Sequence, residues 1–314
     1  MRMDTLKNTD RFYLSDGGLE TWMVFEEGFD LPCFSAAVLL DTAEGRAALT
    51  AYFERFIALA RDSGRGFVMD TPTWRCGAAW AAPLGLGLHE TLAINGRATA
   101  FMAAIRDRHE TAQLPILLNG LVGPAGDAYA PDVALGPDEA CLVHTPQVRA
   151  LAAAGVDMIS AMTLTHAGEA AGIAQAAAEI DLPVVISFTL ETDGRLPSGE
   201  PLDEAIAEVD AWTGAAPLHY MINCAHPDHF RDVVANPAPW LDRIGGVRAN
   251  ASRMSHAELD ASEVLDDGDP VELGALHGDL LRLLPNLRII GGCCGTDHRH
   301  VGCIAGHAHR RRAA

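Results

Sequence analysis

Eight apolar β-type runs, each followed by a helical stretch and with no linker or low-complexity segment between them, predict one (β/α)8 barrel, the TIM-barrel architecture, as a single domain over residues 1–314. The runs fall at 12–15, 67–70, 116–119, 156–160, 184–188, 220–223, 244–247 and 288–291. Several, such as VVISF and LRIIGG, are continuously apolar rather than alternating, the pattern of parallel strands covered on both faces. An open doubly wound sheet is the alternative, and the lack of a G-x-G-x-x-G after the first run argues against its dinucleotide-binding form. In a barrel the functional site lies at the C-terminal ends of the strands.

The connecting segments carry helical periodicity. Leu49, Tyr52, Phe53, Phe56, Ile57 and Ala60 recur at helical spacing and make one apolar stripe, with Asp41 or Thr42 as the cap and Glu44 in the first turn. Weaker stripes run over 88–108, 137–154, 167–180, 203–213 and 270–284, and Gly64 and Gly155 stand where helices would end. The Arg310-Arg311-Arg312 end reads as a frayed tail.

Composition narrows the function classes. The formal net charge is −19 and Lys7 is the only lysine, so the chain would repel a phosphate backbone and no nucleic-acid partner is expected. No run approaches the roughly 18 apolar residues of a membrane span, and the N-terminus lacks a secretory pattern, so a cytoplasmic protein without a membrane partner is expected. Seven cysteines without such a signal argue against a disulfide framework and favour metal binding or catalysis for any that cluster.

Two strand ends carry such clusters. Ile289-Ile290-Gly291-Gly292-Cys293-Cys294-Gly295-Thr296 runs an apolar strand into two adjacent cysteines, and glycines on both sides let the chain leave strand geometry and turn both thiols inward. Met221-Ile222-Asn223-Cys224-Ala225-His226-Pro227 ends the sixth run in the same way. In a barrel these ends converge. Three thiolates, Cys224, Cys293 and Cys294, with a vacant fourth position suit a catalytic zinc, because structural sites are closed by four protein ligands and soft sulfur selects zinc over magnesium or calcium. His226 as a fourth ligand, or a redox disulfide between Cys293 and Cys294, are the competing readings. Cys33, Cys76, Cys141 and Cys303 read as small buried hydrophobes.

These motifs resemble the homocysteine S-methyltransferase family over most of the chain, from about Phe12 to about His300: Asp16-Gly17-Gly18, Ser187-Phe188-Thr189, Asn223-Cys224 and Gly291-Gly292-Cys293-Cys294-Gly295-Thr296. The resemblance implies a zinc-containing (β/α)8 barrel that activates a small thiol, homocysteine by default, and transfers to it a methyl group from an onium donor, giving methionine. It implies that Asp16 and the backbone at Gly17 and Gly18 line the pocket for the amino acid part of the thiol; a turn role is the other reading of Asp16. Asn223 would orient the metal site. Trp74 would face a cationic donor or simply pack.

The chain departs from the family at two strand ends. Met162, in Ser160-Ala161-Met162-Thr163, stands where the family carries a Glu that binds the homocysteine amine, with Glu20 as the candidate replacement. Arg248-Ala249-Asn250 replaces a proline–asparagine turn, and Arg248 and Arg75 read either as binders of a substrate carboxylate or as surface salt bridges. A different thiol or a selenol is therefore the second functional reading, and a non-catalytic zinc or redox dithiol protein the third. Asp266-Asp267-Gly268-Asp269 lacks calcium-loop spacing and reads as a solvated acidic loop. His298, His300, His307 and His309 read as exposed tail residues, and Gly85 and Gly87 do not make a phosphate loop. Oligomeric state and donor identity stay open.

Overall fold

The eight runs close into a parallel barrel in chain order, in a computed structural model that describes residues 2–8, 11–129 and 134–308. Strands β1–β8 are Tyr13–Leu14, Gly66–Asp70, Ile116–Val122, Met158–Leu164, Val184–Phe188, Tyr220–Asn223, Ile244–Ala249 and Ile289–Gly292. Closure is made where β8 returns to β1, with Tyr13 paired to Ile289 and Leu14 to Ile290. Helices α1–α11 are Arg2–Asn8, Leu19–Phe25, Ala43–Asp62, Leu88–His109, Pro137–Ala154, Ala167–Ala178, Leu202–Thr213, Pro227–Val234, His256–Asp260, Pro270–Leu283 and His298–His307. None of them is long and apolar enough to cross a membrane.

The expected stripe buries Leu49, Tyr52, Phe53, Phe56, Ile57 and Ala60 of α3, and Thr42 caps that helix by accepting from the Gly45 N–H at 2.9 Å. Gly155 ends α5 in the left-handed conformation at φ 93°. Strands β3, β4 and β7 reach Val122, Leu164 and Ala249, further than their apolar runs imply, because the hydrogen-bonded ladder continues past the small and polar residues that end each run. Helices α2, α8, α9 and α11 have no counterpart in the periodicity, being only 5 to 10 residues long. The Arg310–Arg312 tail and His309 lie outside the described residues.

Inside the barrel, side-chain alternation builds two layers. Tyr13, Val68, Leu117, Met158, Val185, Met221 and Ile289, with Leu6 from α1, form an apolar plug near the strand starts. Strand β7 contributes Gly246 at this level, where a Cβ would come within 2.7 Å of the Met221 Cγ. Two residues further along, the same faces present Ser15, Asp70, Asn119, Ser160, Ser187, Asn223 and Arg248, all buried. The second layer is polar, and its Asp70, Asn223 and Arg248 line a cavity of about 370 Å³ at the C-terminal ends of the strands.

Candidate metal centre

Cys224 follows the last residue of β6 and has a left-handed φ of 56°, which breaks strand alternation there. That break lets Asn223 and Cys224 both face the cavity, although they are neighbours. Cys293 and Cys294 follow Gly292 at the end of β8 and also line the cavity. The loop after β1 approaches them so closely that a Cβ on Gly18 would lie 2.7 Å from the Cys293 carbonyl oxygen and 3.1 Å from the Cys294 Cα.

The three sulfurs lie within 4.8 Å of one another, with Cys224 Sγ and Cys294 Sγ 3.6 Å apart. Hydrogen bonds from Cys224 and Cys294 hold the Cys293 thiol well below its ordinary pKa, and Arg248 adds to the effect. Those bonds to Cys293 and Cys294, together with burial, push Cys224 above its ordinary value. Three cysteine sulfurs facing one another across the cavity form a donor set that fits a soft divalent metal. His226 is not part of it: its Nδ1 accepts from the Asp228 N–H at 3.2 Å and caps α8. No disulfide joins any of the described cysteines, Cys293 and Cys294 included. Cys76 is buried as expected and burial pushes its thiol up to about 12, but Cys33, Cys141 and Cys303 are only half-buried.

Asn223 is fixed from three sides. Its Oδ1 accepts from the Thr163 N–H at 2.9 Å and the Ser187 hydroxyl at 2.6 Å, while Nδ2 donates to Thr163 Oγ1 at 2.8 Å and reaches Cys293 Sγ at 3.9 Å. Tyr129, in the loop after β3, was not anticipated, since nothing periodic or motif-like marks it. Its hydroxyl sits 2.8 Å from Cys224 Sγ and 3.4 Å from Cys294 Sγ. Its ring stacks on His256, with centroids 4.3 Å apart and planes 8° from parallel. His256 in turn bonds the Cys224 carbonyl through Nε2 at 2.9 Å and Glu191 through Nδ1 at 3.0 Å.

Arg248 departs from both readings of its role. It is neither on the surface nor free for a substrate carboxylate: it is buried and forms ion pairs with Asp16 and Asp70, and it donates to the Gly292 carbonyl at 3.0 Å. Burial works against its charge, but Asp16 and Asp70 outweigh it and hold the guanidinium above its ordinary value. Burial also pushes the Asp16 carboxyl up to about 7 against the pull of Arg248, as expected where two carboxylates share one cation. Asp70 further accepts from Asn119 at 2.6 Å. Gly17 and Gly18 line the cavity, with the Gly18 N–H committed to the Thr296 carbonyl at 3.0 Å.

Met162 and Trp74 form an apolar wall, joined by a 3.1 Å bond from Trp74 Nε1 to the Met162 carbonyl. One face of Trp74 is taken by the Arg75 guanidinium at 4.7 Å, which also lies 4.2 Å from Trp80 and pairs with Asp127 at 3.6 Å. The acidic loop is engaged too: Asp266 accepts from Ser252, Asp267 pairs with Arg299 and Asp269 caps α10. His300 is fully buried, not exposed, and bonds Asp297 and the Asp267 carbonyl.

A curated relative, the homocysteine S-methyltransferase of Escherichia coli (strain K12), is 26% identical over 252 residues, covering 74% of this chain and 77% of that one. The metallated form of the E. coli homocysteine methyltransferase MmuM superposes with a TM-score of 0.73 at 20% identity, over 98% of this chain and 100% of the other. Its oxidised form also gives 0.73, at 21% identity, over 96% and 98%. The family model described as homocysteine S-methyltransferase matches residues 13–308, nearly the whole barrel, so the chain belongs to the homocysteine S-methyltransferase family and is a methyltransferase.

Proposed function

We propose that this chain is a zinc-dependent S-methyltransferase that moves a methyl group from a small onium donor to a thiol, with homocysteine as the acceptor and methionine as the product. The observation that carries this reading is the convergence of Cys224, Cys293 and Cys294 on one cavity, with no histidine, carboxylate or further cysteine completing the cluster among the described residues. These three residues would hold the zinc. When bound, zinc lowers the pKa of a thiol that joins it, so that a thiolate is available near neutral pH.

The chain's own residues do the rest. Asn223 and Tyr129 hold the sulfurs in place through hydrogen bonds. Met162, Trp74 and the apolar side chains of Val24, Phe34 and Leu121 keep water away from the reacting sulfur. The thiolate sulfur bonds to the methyl carbon as the donor's own bond to that carbon breaks, and the donor leaves neutral with the electron pair. This step cancels opposite charges, so a dry cavity favours it over water. Asp260 and Asp266 at the cavity mouth suit a cationic donor.

Metal analysis of the purified protein tests this reading. About one zinc per chain is expected, lost in Cys294→Ser, and homocysteine should add a fourth sulfur to the zinc X-ray absorption spectrum. Folded, zinc-free protein with a reducible Cys293–Cys294 disulfide would overturn it. The same chemistry on another thiol or a selenol is the second reading, favoured by Met162 and by the commitment of Asp16 to Arg248.

A further inference from the structure

An amino acid thiol brings an ammonium group into the cavity, and that charge needs a carboxylate not already neutralised by a cation. The cavity is lined by the carboxylates of Asp16, Glu20, Asp70, Asp127, Asp260 and Asp266. Asp16 and Asp70 are spent on Arg248, and Asp127 pairs with Arg75. Asp266 accepts from Ser252, and Asp260 is exposed at the end of α9. Met162 supplies no charge. Asp260 and Asp266 make no ion pair among the described residues but are exposed, whereas Glu20, equally unpaired, is half-buried in the first turn of α2, close to Asp16 and Cys293.

We propose that Glu20 is the residue that selects the acceptor, taking the ammonium group of an amino acid thiol whose sulfur reaches Cys224, Cys293 and Cys294. The carboxylate absent from the end of β4 is thus supplied from α2, across the mouth. Burial pushes the Glu20 carboxyl up to about 7, the behaviour of a carboxylate that lacks its partner. This assignment rests on the thiol-methyltransferase reading above and names the acceptor class within it.

The test compares homocysteine with 4-sulfanylbutanoate, which keeps the thiol and the carboxylate but lacks the ammonium. Zinc-loaded wild type, Glu20→Gln and Glu20→Asp are titrated with each thiol, and binding is read as the added sulfur in zinc X-ray absorption. Zinc content and melting temperature confirm that the variants fold. Wild type is expected to bind homocysteine about tenfold more tightly than the analogue, and Glu20→Gln to lose about that factor for homocysteine alone. KM for homocysteine should rise with Kd while kcat at saturation stays within about threefold, and Glu20→Asp should restore part of the loss.

Equal weakening of both thiols, or of neither, overturns the assignment. So does a wild type that takes the analogue and refuses homocysteine, which leaves thiol activation intact. If neither thiol adds a sulfur, thiol activation itself falls, and the role of Glu20 with it.

Discussion

The phenolic oxygen of Tyr129 lies 2.8 Å from Cys224 Sγ, and the ring beneath it stacks on His256, whose Nε2 bonds the carbonyl of the same cysteine. Side chain and backbone of Cys224 are therefore held by one aromatic pair. A hydroxyl that donates to a thiolate stabilises the ionised sulfur. Tyr129→Phe is expected to weaken zinc binding about tenfold at neutral pH, read by competition with a chromophoric chelator. A change below about twofold would show that the hydroxyl does not tune the metal site.

Arg248 is the cation for two buried carboxylates, Asp16 and Asp70. Arg248→Met leaves both without their cation, at an expected cost of about 3–5 kcal/mol in urea unfolding. Part of that loss should return as pH falls and the Asp16 carboxyl, raised by burial, takes up its proton. An equal loss at pH 5 and pH 8 would contradict an electrostatic origin.

Glu20 gives a second pH-dependent effect. Its carboxyl is raised from 4.5 to about 7, so the folded chain binds that proton more tightly than the unfolded one. The stability this contributes is fully present below about pH 4.5 and is lost as pH rises through about 7. Glu20→Gln is therefore expected to be more stable than wild type above pH 7, by about 1–2 kcal/mol, with the gain fading towards pH 4.5. A constant difference across that range would refute the shift.

Gly18 has no room for a side chain, since a Cβ would meet the backbone of Cys293 and Cys294 at 2.7 and 3.1 Å. Gly18→Ala should push the β8 loop outward, cost about 2 kcal/mol and lower zinc occupancy. Full zinc content and an unchanged melting temperature would show that the two loops separate freely.

Met162 is buried at the cavity wall beneath Trp74. Met162→Glu in the Glu20→Gln background restores a carboxylate near the thiolates and is expected to recover about half or more of the lost homocysteine affinity, on a logarithmic scale. No recovery would mean that position 162 cannot reach the ammonium in this barrel.

The barrel was legible because strands covered on both faces read as unbroken apolar runs, and the cysteines because two strand ends repeat one glycine-framed pattern. The polar layer was legible in principle: counting two residues on from Val68, Leu117, Val185 and Met221 reaches Asp70, Asn119, Ser187 and Asn223. The partners of Arg248 were not, since they lie 232 and 178 positions away and meet it only after the barrel closes. Tyr129 was hidden because a loop residue carries no periodic signal. His300 was misplaced because a ten-residue terminal helix looks like a tail until Asp297 caps it.

The cysteines stand just past the ends of β6 and β8, on either side of β7, and the Cys224 and Cys294 sulfurs meet across 70 positions of chain. A metal held there is a cross-link over the last quarter of the barrel, present only once β7 has been inserted between its neighbours. Affinity for the metal then reports on assembly as well as on chemistry: a substitution far from any sulfur that loosens the seam between β8 and β1 will surface first as weakened metal retention.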